Sequence, residues 1–410
     1  MRRITLKVNS RAVGSGGCAA RTLRPCRILL CFGAWLAVLF VAPVCARDSL
    51  NTIDRYVPHV STVPANKGKK VGLFLREKYS DALAKTIAAG GDLKGRVVLF
   101  VHGVSVPVVP AFDLPYRDYS WMTYLADAGF DTFAMDQTGY GHSPHPKMDD
   151  PCNVDADDQA ILTPNPLSRP CAPSYGHELT SSQTDWDEID SVVNYIRKLR
   201  GVDKVSLVGW SLGGERTGGY AARHPDKVDK LVLDAPFYQR ASPSEAPRDF
   251  PRKGVPMSLQ TRDALMSRRW QSGVACKNQV DPKIRDAIWQ TIMSYDPLGA
   301  VWGPSGGVMR VRTAQYWGWN ADYAHRLVTP TLILVGKQDG LLNMGRSLYE
   351  DMTGTNHKVM VEMDCATHFA LWEASQYRFL HEASKNWLLS GEFRGRRAGH
   401  LSVGFGGKSE

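Results

Sequence analysis

The chain predicts an α/β protein built on a mostly parallel, doubly wound sheet, and three observations carry that reading. Continuous apolar runs at residues 96–103, 132–136, 205–210, 230–236, 330–336 and 357–363 fit strands buried on both faces. Stretches at helical spacing separate them, such as Trp186, Ile189, Val193, Ile196 and Leu199. Their alternation implies helices on both faces of the sheet and a ligand site at the carboxyl ends of the strands. The third observation is a break in the rhythm. Residues 238–327 hold no convincing core strand but are rich in aromatics, among them Trp270, Trp289, Trp302, Tyr316, Trp317 and Trp319. This interval is expected to be a helical cap inserted over the strand ends and walling a largely apolar pocket.

Taken in order, residues 1–46 read as an export signal. Arg2, Arg3, Lys7, Arg11, Arg21, Arg24 and Arg27 precede the apolar run 28–41, and small residues at Val44 and Ala46 fit cleavage after Ala46. The run is short for a membrane span and Pro43 ends it, so no stable span is expected after cleavage. An uncleaved anchor is the alternative; either way the body lies outside the cytoplasm, in the periplasm or secreted. Those seven cations supply most of the net charge of +9, since without them 43 basic residues face 41 acidic ones. Nothing in the body therefore points to a nucleic-acid partner.

Residues 47–239 and 328–390 are expected to form the two parts of the core, 240–327 the cap, and 391–410 a disordered tail rich in glycine and arginine. Residues 47–70 show little periodicity and read as irregular, whereas 71–79 partly alternate and suit an antiparallel edge strand. Thr184 and Asp187 make a capping box for the helix that follows them. Four cysteines stand in the body. Cys152 and Cys171 bracket a long polar excursion, 144–183, and are expected to pair, closing about 20 residues for roughly 3 kcal/mol in the chain-entropy model. Cys276 and Cys365 are then either a second pair or two buried thiols.

The chemistry centres on Gly209-Trp210-Ser211-Leu212-Gly213. A strand leads in and a helix-like segment, 215–223, leads out, and that context makes Gly-x-Ser-x-Gly a nucleophile elbow. So tight a turn strains the serine backbone, and glycines on either side let neighbouring chain pass close. The helix start also offers free backbone N–H groups beside Ser211. A serine hydroxyl needs a base within hydrogen-bond reach and a carboxylate to orient that base. Asp339 follows the strand ending at Gly336, and His368 follows the strand ending at Met363, both on the side of the sheet where Ser211 emerges. Asp234 also ends a strand and is the alternative orienting acid. The chain order Ser, Asp, His is one of the three common triad orders.

With these features in place, residues 71–389 resemble the α/β-hydrolase superfamily, in particular its capped serine esterases and lipases. His102-Gly103 at a strand end resembles the superfamily's oxyanion-loop motif, and Asp136-x-x-Gly139-x-Gly141-x-Ser143 resembles its turn after the next strand. The resemblance implies Ser211 as nucleophile, Asp339 as orienting acid, and His368 as general base and then general acid. It also implies an oxyanion hole made by the backbone N–H groups of Val104 and Leu212, where loss of one donor costs about 3 kcal/mol of barrier. His102, Gly103 and Trp210 are expected to line the substrate pocket, and the proline-stiffened loop 104–110 its acyl side. The implied reaction is hydrolysis of a small-molecule, apolar carboxylic ester with no cofactor and no metal. Amide, lactone or thioester cleavage and acyl transfer use the same triad, and a non-catalytic binding protein on this fold is the reading from another class.

Two further features read as structural. His142 and His145 look like a ligand pair, but no cysteine or carboxylate stands at convincing metal spacing, and the acidic run 155–158 lacks the glycine and distal glutamate of a calcium loop. His381 reads as a surface residue of the last helix.

Overall fold

The computed structural model describes residues 49–409, so the expected export signal, 1–46, lies outside the described residues. The main sheet comprises β1 (Leu50–Val60), β2 (Lys70–Ser80), β3 (Val97–Val101), β4 (Asp131–Met135), β5 (Val205–Trp210), β6 (Val228–Asp234), β7 (Thr331–Gly336), β8 (Lys358–Met363) and β9 (Gly399–Val403). Its spatial order is β1-β2-β4-β3-β5-β6-β7-β8-β9. All neighbours from β4 to β9 are parallel, and β2 runs antiparallel to both β1 and β4. The strand order turns back at β3, which lies between β4 and β5, and such a switch opens a crevice at the strand ends.

Period-two alternation explains why the strands read as unbroken apolar runs. In β3, Val98 and Phe100 pack with Trp121, Leu380 and Trp387, from the helices Trp121–Asp127 and Tyr377–Ser390. Val97, Leu99 and Val101 pack on the other face with Trp186, Ile189 and Tyr220, from the helices Ser182–Arg200 and Leu212–Arg223. Each such buried side chain contributes about 1.5–3 kcal/mol, and a slip of one residue would exchange the two faces. The helix Ser182–Arg200 starts ahead of the expected Thr184–Asp187 box. Ser181 caps it instead, accepting from the Thr184 N–H while the Thr184 hydroxyl accepts from the Ser181 N–H, and left-handed Gly201 ends it.

Four expectations are corrected. Residues 50–60 are a strand, not irregular: Ile53, Arg55, Val57 and His59 turn inward, and the two polar members hide the alternation. Arg55 is satisfied there by Glu77 at 2.6 Å and the His59 ring by the Ser191 hydroxyl at 2.8 Å, while Pro58 is tolerated because β1 is an edge. The tail after Gly391 is not disordered, because β9 pairs with β8 and buries Phe393 and Val403; a five-residue edge strand has too few buried positions to announce itself. His381 is buried against Trp121 and Tyr124, not exposed, and burial pushes its imidazole down to about 3.

The fourth correction concerns the cap. Residues 240–327 are not purely helical. Alongside the π-helical turn Ala264–Trp270 and the helix Ile284–Tyr295, an antiparallel pair joins Met257–Thr261 to Val308–Arg312. The cap tryptophans are buried: Trp270 packs on Phe369 and Trp372, and Trp319 on Tyr238, so they join the core more than they wall a pocket. Cys152–Cys171 stands at disulfide distance as expected, and so does Cys276–Cys365. Among the described residues no helix is long and apolar enough to cross a membrane.

Two outcomes follow. Ending the chain at Gly391 removes β9 and two buried side chains, which is expected to lower stability by on the order of 3 kcal/mol or more in urea unfolding; an unchanged midpoint would show the tail to be dispensable. The second concerns Glu215, buried on the helix Leu212–Arg223, where one carboxyl oxygen accepts from the Ser182 hydroxyl at 2.7 Å and the other has no partner. Burial pushes its carboxyl up to about 7. The folded state therefore holds this proton more tightly than the unfolded chain, so rising pH removes stability between the ordinary carboxylate range and about 7. Glu215→Gln has no proton to lose and should gain on the wild type over that window by up to about 3 kcal/mol. A gap between the two proteins that stays constant from pH 4.5 to 7.5 would contradict this.

Candidate active site

Ser211 is the single residue between β5 and the helix Leu212–Arg223, and it holds φ 59° and ψ −121°, a conformation a serine adopts only when its surroundings impose it. Three backbone bonds of 2.9 Å impose it: the Ser211 N–H donates to Asp234 O, and Ser211 O accepts from Gly214 and Phe237. The hydroxyl is left pointing off the carboxyl edge of the sheet. There it meets the ring of His368, whose Nε2 lies 2.9 Å from Ser211 Oγ. Nδ1 of the same ring lies 3.0 and 3.2 Å from the two oxygens of Asp339. Pairs of side chains 157 and 29 residues apart along the chain thus form one hydrogen-bonded line. All three are buried, Ser211 at 5 %, Asp339 at 6 % and His368 at 8 % exposure.

Asp339, and not Asp234, meets the imidazole. Asp339 is steadied by the Leu341 N–H at 2.8 Å. The Asp234 carboxyl is fully buried with neither oxygen hydrogen-bonded, and burial, with the nearby charge of Asp339, pushes it well above the usual carboxylate range.

His102-Gly103 leaves the end of β3 and passes beside Ser211. A Cβ at Gly103 would stand 2.8 Å from the Ser211 Cβ, so only glycine lets this backbone come so close. Val104 follows it, and Leu212 opens the helix, where the first N–H groups lie ahead of the intrahelical ladder. The motif after β4 proves to be a brace for this loop. Asp136 accepts from the Val108 N–H at 2.8 Å and the His142 N–H at 3.1 Å, Ser143 donates back to Asp136 O, and a Cβ at Gly141 would fall 1.9 Å from the Asp136 carboxylate. Burial pushes the Asp136 carboxyl up to about 6.

His102 and Trp210, expected to line the pocket, turn away from it. The His102 ring is fully buried, accepts at Nε2 from the Gln137 N–H at 3.3 Å, and so donates through Nδ1 to Gly103 O at 2.7 Å. Burial, helped by the charge of Arg216, holds it well below the ordinary imidazole range, hence neutral. Trp210 donates its indole N–H to His368 O at 3.0 Å and packs on Phe369 and Trp372. Both residues orient their neighbours instead of meeting a ligand. The loop 104–110 is likewise largely buried, with Val106, Val108 and Val109 in one core cluster with Ile288 and Met309 of the cap.

A cavity of 400 Å³ borders His368 and Asp339, and Arg269, Gln338 and Thr367 stand in its wall beside Phe369, so it is mixed and not largely apolar. A larger one, 1070 Å³, opens between Arg76, Tyr116 and Tyr295, and none of Ser211, Asp339 and His368 lines it. Its walls of His368 and Asp339, not size, select the first as the site's own.

Two features, Glu373 and Arg216, escape the sequence, which also leaves the pairing of Cys276 with Cys365 open. Glu373 accepts from the Thr367 N–H and hydroxyl, the Trp270 indole and the Gln279 amide, tying the loop of His368 to the cap. Cys276–Cys365 repeats that tie covalently, three residues ahead of His368. Arg216 reaches the carbonyls of the oxyanion loop. No local pattern marks Glu373 or Arg216, since most of their partners are distant in the chain.

Comparison with known proteins agrees with this architecture. Residues 96–272 match the family model described as the alpha/beta hydrolase fold. Among curated proteins, a pimeloyl-[acyl-carrier protein] methyl ester esterase of Chromobacterium violaceum is 27 % identical over 168 residues, 40 % of this chain and 62 % of that protein. A poly(3-hydroxyalkanoate) polymerase subunit of Allochromatium vinosum is 52 % identical over 44 residues, 11 % of this chain and 12 % of that one. The chain therefore spans less than two thirds of either relative. Similar solved structures include a serine hydrolase of Cycloclasticus zankles, at 14 % identity and TM-score 0.46 over 84 % of this chain and 99 % of that one. A serine hydrolase involved in carbazole degradation aligns at 15 % identity and TM-score 0.49, over 83 % of this chain and 100 % of that one. The nine-stranded sheet that turns back at β3, the elbow at the end of β5 and the family pattern matched over residues 96–272 give this chain the alpha/beta hydrolase fold.

Proposed function

We infer that the protein is an exported serine hydrolase that cleaves carboxylic esters through an acyl-enzyme, with Ser211, His368 and Asp339 as its triad. The observation that carries this reading is the line of contacts Ser211 Oγ to His368 Nε2 at 2.9 Å and His368 Nδ1 to Asp339 at 3.0 Å. In the first half-reaction Nε2 takes the hydroxyl proton while Oγ attacks the ester carbonyl. The oxyanion is stabilised by the N–H groups of Val104 and Leu212, and the alcohol leaves with the proton now on His368. Water repeats the sequence on the acyl-enzyme and releases the acid. Asp339 fixes the ring and stabilises its charged form.

The Chromobacterium relative, by its name a methyl ester esterase, favours an ester over an amide as substrate. The triad by itself would equally serve thioester or lactone cleavage or transfer to another alcohol. For location, two cysteine pairs at bonding distance support an oxidising compartment, periplasmic or extracellular.

Presteady-state hydrolysis of p-nitrophenyl acetate and butyrate tests the reading. A burst of one nitrophenolate per protein is expected, and Ser211→Ala should lose it together with about 10⁶-fold in kcat. Turnover that survives Ser211→Ala, or a folded wild type with no turnover on any ester of a panel spanning acyl length, would sink it. The second outcome favours a binding protein.

A further inference from the structure

Five residues beyond Ser211, on the first turns of the helix Leu212–Arg223, Arg216 is fully buried beneath the site. Its Nη1 donates to His102 O at 2.7 Å and to Gly103 O at 3.2 Å, and its Nε to the buried carboxylate of Asp185 at 2.9 Å. Arg312, the last residue of the cap strand Val308–Arg312, grips the other oxygen of Asp185 at 2.5 Å and donates to Thr138 O at 2.7 Å. Tyr140 offers its ring to both guanidinium groups, 6.0 and 5.2 Å from the centroid.

We propose that Arg216, held by Asp185 and through it by Arg312 of the cap, is a positioning residue that aims the oxyanion hole. Peptide geometry links the two. The Gly103 carbonyl and the Val104 N–H are opposite ends of one planar trans unit, so fixing the direction of the first fixes that of the second. Arg216 holds both loop carbonyls, and the Gly103 and Val104 N–H groups at the other ends of those peptide units are held with them. A donor so held needs no reorganisation when charge develops. Stability alone does not call for this arrangement, since buried ion triads are often replaced by apolar side chains without loss. The chain Arg312–Asp185–Arg216 also makes the donor's aim depend on the cap strand being seated.

The proposal rests on the serine-hydrolase reading, and the experiment keeps the two apart. The full protein and its Arg216→Met, Arg216→Lys and Asp185→Asn variants are titrated with a fluorophosphonate, so that kcat is expressed per reactive serine. A trifluoromethyl ketone, whose hemiketal carries an oxyanion, measures the hole directly. For Arg216→Met, kcat per titrated site should fall about 10–100-fold with KM within about threefold, and the ketone should bind weaker by the same factor as kcat/KM. Arg216→Lys, which keeps a cation within reach of a carbonyl, should recover part of both. Asp185→Asn should fall between wild type and Arg216→Met. Titrated sites with wild-type kcat and ketone affinity, even if fewer molecules fold, would overturn the proposal and leave Arg216 a purely structural residue. If Arg216→Met yields no folded protein, Arg216→Lys and Asp185→Asn are judged on the same two readouts. A wild type that fails to titrate would instead sink the hydrolase reading.

Discussion

The rest of the structure depends on how closely three pieces of backbone approach one another beneath Ser211. A Cβ at Gly213 would lie 2.1 Å from Val101 O, and one at Gly209 would lie 2.3 Å from Gly213 O. Neither position can carry a side chain unless the helix after β5 moves off the end of β3. With glycine at both, the start of that helix sits directly on the strand ends. The serine is then forced to a positive φ, and the oxyanion loop that leaves β3 is brought against it. Positive φ recurs at Ser105, Ala235 and Cys365, each just past a carboxyl strand end, so the strain gathers at one edge of the sheet.

Around this fixed point the cap is tied down from several directions. Glu373 joins Trp270 and Gln279 of the cap to Thr367, and Cys276–Cys365 links cap and histidine loop covalently. Arg312 anchors the cap strand on Asp185, and Ala314–Gln315 pairs with Thr180–Ser181 ahead of the helix that carries Asp185. These ties end on the loop of His368 and on the helix Ser182–Arg200, whose Asp185 also holds Arg216. Residues 240–327 are therefore bound into the framework around the buried Ser211.

Much of this was legible in the sequence because parallel strands buried on both faces appear as unbroken apolar runs, and the residue after such a run has a known place. Ser211, Asp339 and His368 were found in that way, each from the strand it follows. What failed to show depended on partners far away in the chain. β1 was hidden because Arg55 and His59 occupy inward positions that Glu77 and Ser191 make tolerable. β9 was hidden because an edge strand of five residues buries little, and the cap strands because Arg310 and Arg312 break the apolar pattern while lying buried in ion pairs. Trp210 and His102 stand beside the site in sequence, but the direction of their rings is set by His368 O and Gln137 N, which no local pattern reveals. Arg216 looked like any helical arginine.

The account stands on one serine being made reactive by its place in the fold. Reacting the folded protein with a fluorophosphonate and mapping the modified peptide by mass spectrometry tests that claim most directly. A single adduct per chain, on the peptide that carries Ser211, is the predicted result. Modification spread over other serines, or no modification of a protein shown to be folded, would contradict it.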